Sequence, residues 1–419
     1  MRGAQGDCVR SQPLMLEKGA AARPTQRLRR AHTHAVGVSS PGVYDVQFMT
    51  RHHILVIAGT RPEVIKMAPV VRELERRADR FQLTFATTGQ HREMLDQVLA
   101  VFDLKPQVDL ELMEPSQSLA RLNARALVAL SDLFTELRPD TVLIQGDTTT
   151  AMAAAMAAFY QGIRVGHVEA GLRSFNPHSP FPEEMNRRVA ACVTDLHFAP
   201  TQRARRHLLS EGVATEAIFL TGNTIVDALG MLNLAEAFDN RQLSAVPFRD
   251  RRVLLVTAHR RESFGEPLRA ICRALVALAQ RFDNIEIVYP VHLNPQVKRL
   301  VHQEIGDQPR IHLIAPVAYD DLLRLLRCCY LVLTDSGGIQ EEAPSFHKPV
   351  LVLRDVTERP ELIEAHAGRL VGTDTERIVE AAAELLTEPH AYIAMSQVAN
   401  PFGDGLAAKR IAEILAERL

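Results

Sequence analysis

Asp335-Ser336-Gly337-Gly338 stands where an apolar, strand-like run, Tyr330 to Thr334, gives way to a short acidic helical pattern that Pro344 stops. Two glycines at such a turn let the backbone come close to a ligand. The helix beginning there offers unpaired N–H groups and its positive dipole end to an anion. Glu341 and Glu342 lie too far along to compete for a phosphate, but near enough to accept from ribose hydroxyls. A strand–helix corner with no ligand can carry the same glycines, so the remaining polar residues decide what this turn is for.

Those residues recur at the ends of other strand-like runs. Arg61 and Lys66 follow the first run, Asp147 follows TVLIQG and Glu169 lies in GHVEAG. His259 and Arg260 follow RVLLVTA, and His292 follows IEIVYPV. The charges separate by half. Carboxylates (Asp147, Glu169, Glu183, Glu184) come from the first half; the Ser336–Gly338 turn, His259 and Arg359 come from the second. An anion held by one half and acid–base carboxylates from the other suit activated-sugar chemistry, in which a diphosphate is bound and protons move on the sugar. The first turn, Gly59-Thr60-Arg61-Pro62, lacks the GxGxxG of a dinucleotide fold, and no GxxxxGK[ST] occurs. No Asp-x-Asp occurs either. No cofactor and no metal are therefore expected.

Strands must place these groups at one edge. From His52 onward, short apolar runs alternate with helical patterns: 52–59, 82–89, 141–147, 164–171, 196–200 and 217–222, then 252–259, 285–292, 310–315, 330–336, 348–355 and 368–373. Strands alternating with helices imply right-handed crossovers and parallel sheets. The fold class expected is α/β, with two doubly wound Rossmann-like domains facing across a cleft. The first domain is expected over residues 51–235, and the polar interval 236–251 marks the boundary. The second runs over 236–399, and a helix at 400–419 closes the chain. Ligands of such sheets bind outside the carboxyl ends of the strands.

Composition narrows the class. A chain of 419 residues suits two domains; its 47% hydrophobic and 23% charged residues are those of a globular protein. A net charge of -2 argues against a nucleic-acid surface, and no apolar run is long enough to cross a bilayer. Five scattered cysteines without metal spacing suggest reduced thiols and a cytoplasmic location. Residues 1–50 are Arg-rich and aperiodic, with no apolar signal core. They are expected to be a disordered, dispensable extension, with Met49 a plausible alternative start.

From about His52 the sequence resembles the bacterial non-hydrolysing UDP-N-acetylglucosamine 2-epimerases. The resemblance rests on GTRPEVIKMAPVV (59–71), TGQHREMLDQVL (88–99), QGDTTTAMAAA (145–155), GHVEAGLRS (166–174), PFPEEMNRR (180–188) and TGNTIVDAL (221–229). TAHRRESFGE (257–266), YPVHLNP (289–295), DSGGIQEEAP (335–344) and RDVTERPE (354–361) extend it. It implies a GT-B-like fold whose last helix crosses back to the first domain, and a homodimer. It also implies UDP against the second domain, with Ser336, Gly337 and Gly338 on the diphosphate, Glu342 on the ribose and the segment Pro316 to Leu322 at the uracil. Val317 and Leu322 replace the Gln and Phe common there, and Phe181 replaces a common Trp. Arg61, Lys66, Asp147, Glu169, His259 and Arg359 match residues lining the family's cleft.

The implied chemistry is elimination of UDP to a 2-acetamidoglucal, then re-addition with the C2 proton delivered to the other face. The product would be UDP-N-acetylmannosamine for cell-surface polysaccharide. Asp147, Glu169 and Glu183 are the acid and base candidates, with His259 and Arg359 stabilising the leaving UDP. Which carboxylate does which stays open at this level. A hydrolysing relative, a glycosyltransferase of similar fold and an inactive UDP-sugar sensor are the competing readings.

Overall fold

The computed structural model describes residues 51–89, 92–114 and 117–419. The extension expected over 1–50 lies outside the described residues, as do Gln90 and His91 of the 88–99 motif. The first sheet holds β1 (His52–Ala58), β2 (Phe81–Thr87), β3 (Val108–Asp109), β4 (Thr141–Gln145), β5 (Arg164–Val168), β6 (Leu196–Ala199) and β7 (Ile218–Leu220), in spatial order 3-2-1-4-5-6-7. The second holds β8 (Arg252–Thr257), β9 (Ile285–Pro290), β10 (Ile311–Ile314), β11 (Leu331–Thr334), β12 (Val350–Val352) and β13 (Gly368–Leu370), in order 10-9-8-11-12-13. Every neighbouring pair in both sheets is parallel.

The strands are near-continuous apolar runs because helices cover both faces of each sheet; Ile54 to Ala58 and Val253 to Val256 are buried throughout. Helix Arg61–Glu75 shows how one crossover is specified. Glu63 accepts the amides of Gly59 and Thr60 at 2.9 and 2.6 Å, closing a capping box, and Pro62 sits in the first turn. Val64, Ile65, Ala68, Val71 and Leu74 form its buried stripe. One apolar cluster runs continuously from the first sheet's layers into the second's, joining Ile54 and Val64 to Val253 and Val332.

In each sheet the strand order reverses between the first strand and the third to join it, at β1/β4 and at β8/β11. The crevice at such a switch point is where doubly wound sheets bind ligands. Segment 236–251, read from sequence as patternless, contains the one-turn helix Arg241–Ser244 and buries Leu243 and Val246. Asp321 accepts the amides of Asp239 and Asn240 and ties this segment down. The final helix, Ala407–Arg418, packs on helices Arg61–Glu75 and Thr224–Met231, and Asp227 accepts its first amides at 3.2 and 2.8 Å. Among the described residues no helix is long and apolar enough to cross a membrane.

Candidate active site

The two switch points open onto one cavity of about 500 Å³. Arg61, Lys66, Asp147, Glu169, His259, Val317, Leu322, Ser336, Gly338, Glu342 and Arg359 all line it. Gly337 lies buried within the same turn without lining the cavity. Glu183 does not line it either. It is the first residue of helix Glu183–Cys192, and the residues of that helix that reach the site are Asn186, which donates to the Asp147 carbonyl, and Arg187, which pairs with the Asp147 carboxylate.

At the centre is a buried row of alternating charge. The Lys66 ammonium lies 2.5 Å from Glu169 Oε1 and 2.9 Å from Glu341 Oε2, and Arg359 Nε donates to the other oxygen of Glu341. Gln145, at the end of β4, donates to the second oxygen of Glu169. Lys66 and Glu169 come from the first domain, Glu341 and Arg359 from the second. Sequence reading gave Glu341 to a ribose; it is instead the anion between two cations. Burial raises the Glu169 carboxyl above its ordinary range despite Lys66. For Glu341 burial pulls the same way, but Arg359 and Lys66 outweigh it and hold the carboxyl down.

Glu342 faces the same space from the next position. Burial pushes its carboxyl up to about 7, although the Tyr319 hydroxyl donates to it at 3.0 Å. Tyr319 also meets the Arg61 guanidinium, 6.0 Å above its ring, across the cleft. Asp147 follows Gly146, whose φ of +71° permits the turn. That turn is held by His167 Nε2, which donates to the Gly146 carbonyl at 2.7 Å. Thr148 binds Glu63 at 2.6 Å, so the two turns of the first sheet are fastened together.

His259 follows β8, and Asp335 fixes it: one carboxylate oxygen accepts the amides of His259 and Arg260 at 2.6 and 2.7 Å. Asp335 and Tyr319 are the residues of this site to which the sequence assigned no role of their own; Glu341 and His292 were named there, but not in these contacts. Asp335 was visible in DSGG and His292 at a strand end, whereas nothing local marks Tyr319. Away from the cleft, Asp239, Asp320 and Asp321 come close enough together for a metal ion, but Arg324 occupies their midst, pairing with all three.

Residues 72–416 match the family described as UDP-N-acetylglucosamine 2-epimerase. The UDP-N-acetylglucosamine 2-epimerase of Bacillus subtilis is 48% identical over 367 residues, 88% of this chain and 96% of that one. A solved UDP-GlcNAc 2-epimerase from Neisseria meningitidis, bound to UDP-GlcNAc, superposes with a TM-score of 0.81 at 43% identity, covering 87% of this chain and all of the other. A glycosyltransferase structure at 14% identity, with a TM-score of 0.60, shares the fold alone.

Proposed function

This chain belongs to the UDP-N-acetylglucosamine 2-epimerase family, and from that premise we propose that it interconverts UDP-N-acetylglucosamine and UDP-N-acetylmannosamine without hydrolysis, by eliminating and re-adding UDP. The observation that carries this reading is the division of labour in the cavity. Asp147 and Glu169 approach from the first domain; the Ser336–Gly338 turn, His259 and Arg359 approach from the second.

The C2 proton has no adjacent carbonyl to acidify it, so its removal is coupled to loss of the C1 substituent. As the C1–O bond breaks, its electron pair goes to the diphosphate, and negative charge grows where the second domain presents amides and cations. Such prearranged donors are worth most in a cleft that excludes water. Glu169, whose raised carboxyl retains a proton more readily, serves as one proton carrier. Asp147, paired with Arg187, serves as the other. One takes the C2 proton and the other returns one to the opposite face; the roles exchange in the reverse direction.

The Glu342 carboxylate receives the ribose hydroxyls, and Val317 and Leu322 give the uracil an apolar wall. Arg61 and Lys66 complete the sugar's surroundings. The protein acts as a cytoplasmic homodimer that supplies N-acetylmannosamine units for cell-surface polysaccharide. Chromatography of a reaction with UDP-N-acetylglucosamine should show UDP-N-acetylmannosamine rising to a constant ratio, and the same ratio should be reached from the other side. Free N-acetylmannosamine as the main product would rule the non-hydrolysing reading out.

A further inference from the structure

Asp335 is fully buried, and the two backbone amides use only one of its carboxylate oxygens. The other, Oδ1, has no hydrogen-bond partner among the described residues and lies 3.4 Å from Nδ1 of His259. A buried carboxylate oxygen left without a donor is costly. Among the described residues, the Nδ1 edge of the imidazole is the group placed to supply one, and catalytic hydrogen bonds are commonly long before substrate binds. On its far face, His259 stacks on His292, with ring centroids 5.0 Å apart and planes 4° from parallel. The tautomer of His292 is fixed independently: its Nδ1 accepts the amide of Asn294 at 3.1 Å, so the neutral ring keeps its proton on Nε2.

We propose that Asp335 is a positioning residue that holds Nδ1–H of His259, so that the Nε2 edge takes up a proton when a nucleotide diphosphate enters and presents it to the phosphate oxygen that accepts the electron pair of the breaking C1–O bond. This rests on the nucleotide-sugar reading above and deepens it. The charged groups bearing on the ring are Asp335 beyond β11, His292 beyond β9 and the adjacent Arg260. Burial lowers the basicity of His259 in the empty cleft, and of these neighbours Asp335 alone opposes it. The neutral ring with Nδ1–H aims a lone pair at the cleft, where a diphosphate would repel it. Protonation turns that lone pair into a donor. Because the stacked rings disfavour two adjacent cations and His292 is committed to Asn294, the proton goes to His259. The proton comes from solvent, and its N–H bond to Nε2 is the one bond made to the imidazole; none is made to a substrate atom other than a hydrogen bond.

Calorimetric titration of the full chain with UDP at pH 7.5, in two buffers of different ionisation enthalpy, reads protons taken up on binding. Wild type should take up a large fraction of one proton; His259→Gln and Asp335→Asn should both lose that fraction. Glu342, which also titrates near neutrality, is present in all three proteins and cancels in the difference. Uptake in Asp335→Asn equal to wild type would overturn the proposal. If that variant does not fold, imidazole ¹⁵N spectra of wild type decide. Nδ1–H in the free protein, becoming doubly protonated with UDP, supports the proposal, and an Nε2–H tautomer in the free protein overturns it. Failure of wild type to bind UDP at all would instead sink the nucleotide-sugar reading.

Discussion

Glu169 and Asp147 stand at the ends of adjacent strands but are held by different cations, Lys66 and Arg187. Replacing either by its amide keeps size and most hydrogen bonds while removing the titrating group. Asp147→Asn and Glu169→Gln should each lower kcat by about 10²–10⁴-fold, with UDP affinity in calorimetry nearly unchanged. A fully active Asp147→Asn would remove Asp147 from the mechanism. Glu342 should fail in the opposite way. Its folded carboxyl is raised to about 7 from an ordinary 4.5, so the native state binds the extra proton and loses stability as pH rises from 4.5 through 7. Glu342→Gln has no such dependence. It should melt a few degrees above wild type at pH 8, match it near pH 4.5, and bind UDP roughly tenfold more weakly through loss of a charged acceptor. Equal melting temperatures at pH 8 would contradict this. At this scale strand ends in the sequence picked out most of the polar residues that line the cavity, but not how they pair. Glu341 pairs with Lys66 of the other domain and Arg359 of its own, and both partners are set by tertiary contacts that no local pattern marks.

Strand β5 illustrates how an element carries the site. Directly after it comes Glu169, whose φ of +66° swings the side chain out of the sheet, and two residues earlier His167 braces the Gly146–Asp147 turn. Burial keeps the His167 imidazole neutral, with its basicity lowered from 6.5 to about 3. The unfolded chain therefore binds more protons between those values, and stability falls as pH drops below 6.5. The slope should be about 1.4 kcal/mol per pH unit for this one group. His167→Gln, whose amide can still reach the Gly146 carbonyl, should remove that much from the slope of urea-unfolding stability between pH 6.5 and 5. An unchanged slope would mean that His167 is not buried neutral. Apolar runs made the long strands legible to within a few residues. Strand β3 is two residues long, and helices Gln202–Ser210 and Thr224–Met231 have only nine and eight residues, so none of the three left a periodic trace long enough to read.

Across the whole molecule, two sheets turn their switch points toward each other, and the Lys66–Glu341 pair closes the space between them. Two further contacts join the domains outside the cleft: Thr201 donates to Glu361 at 2.8 Å, and Arg203 pairs with Glu364. Glu361 and Glu364 lie on the short helix that begins directly after Arg359, so one segment reaches both the cation row and the first domain. Alternation of strand and helix made the two-domain plan readable, whereas the register between the domains depends on such single long-range pairs. That register brings the carboxylates of one domain to the Ser336–Gly338 turn of the other, and the central claim is that the proton at C2 moves while UDP is detached. Incubation with UDP-N-acetylglucosamine in D₂O, followed by proton NMR, tests it most directly. The account predicts deuterium at C2 in the UDP-N-acetylmannosamine formed and, with time, in the recovered UDP-N-acetylglucosamine; epimerised product that retains its original C2 proton would contradict it.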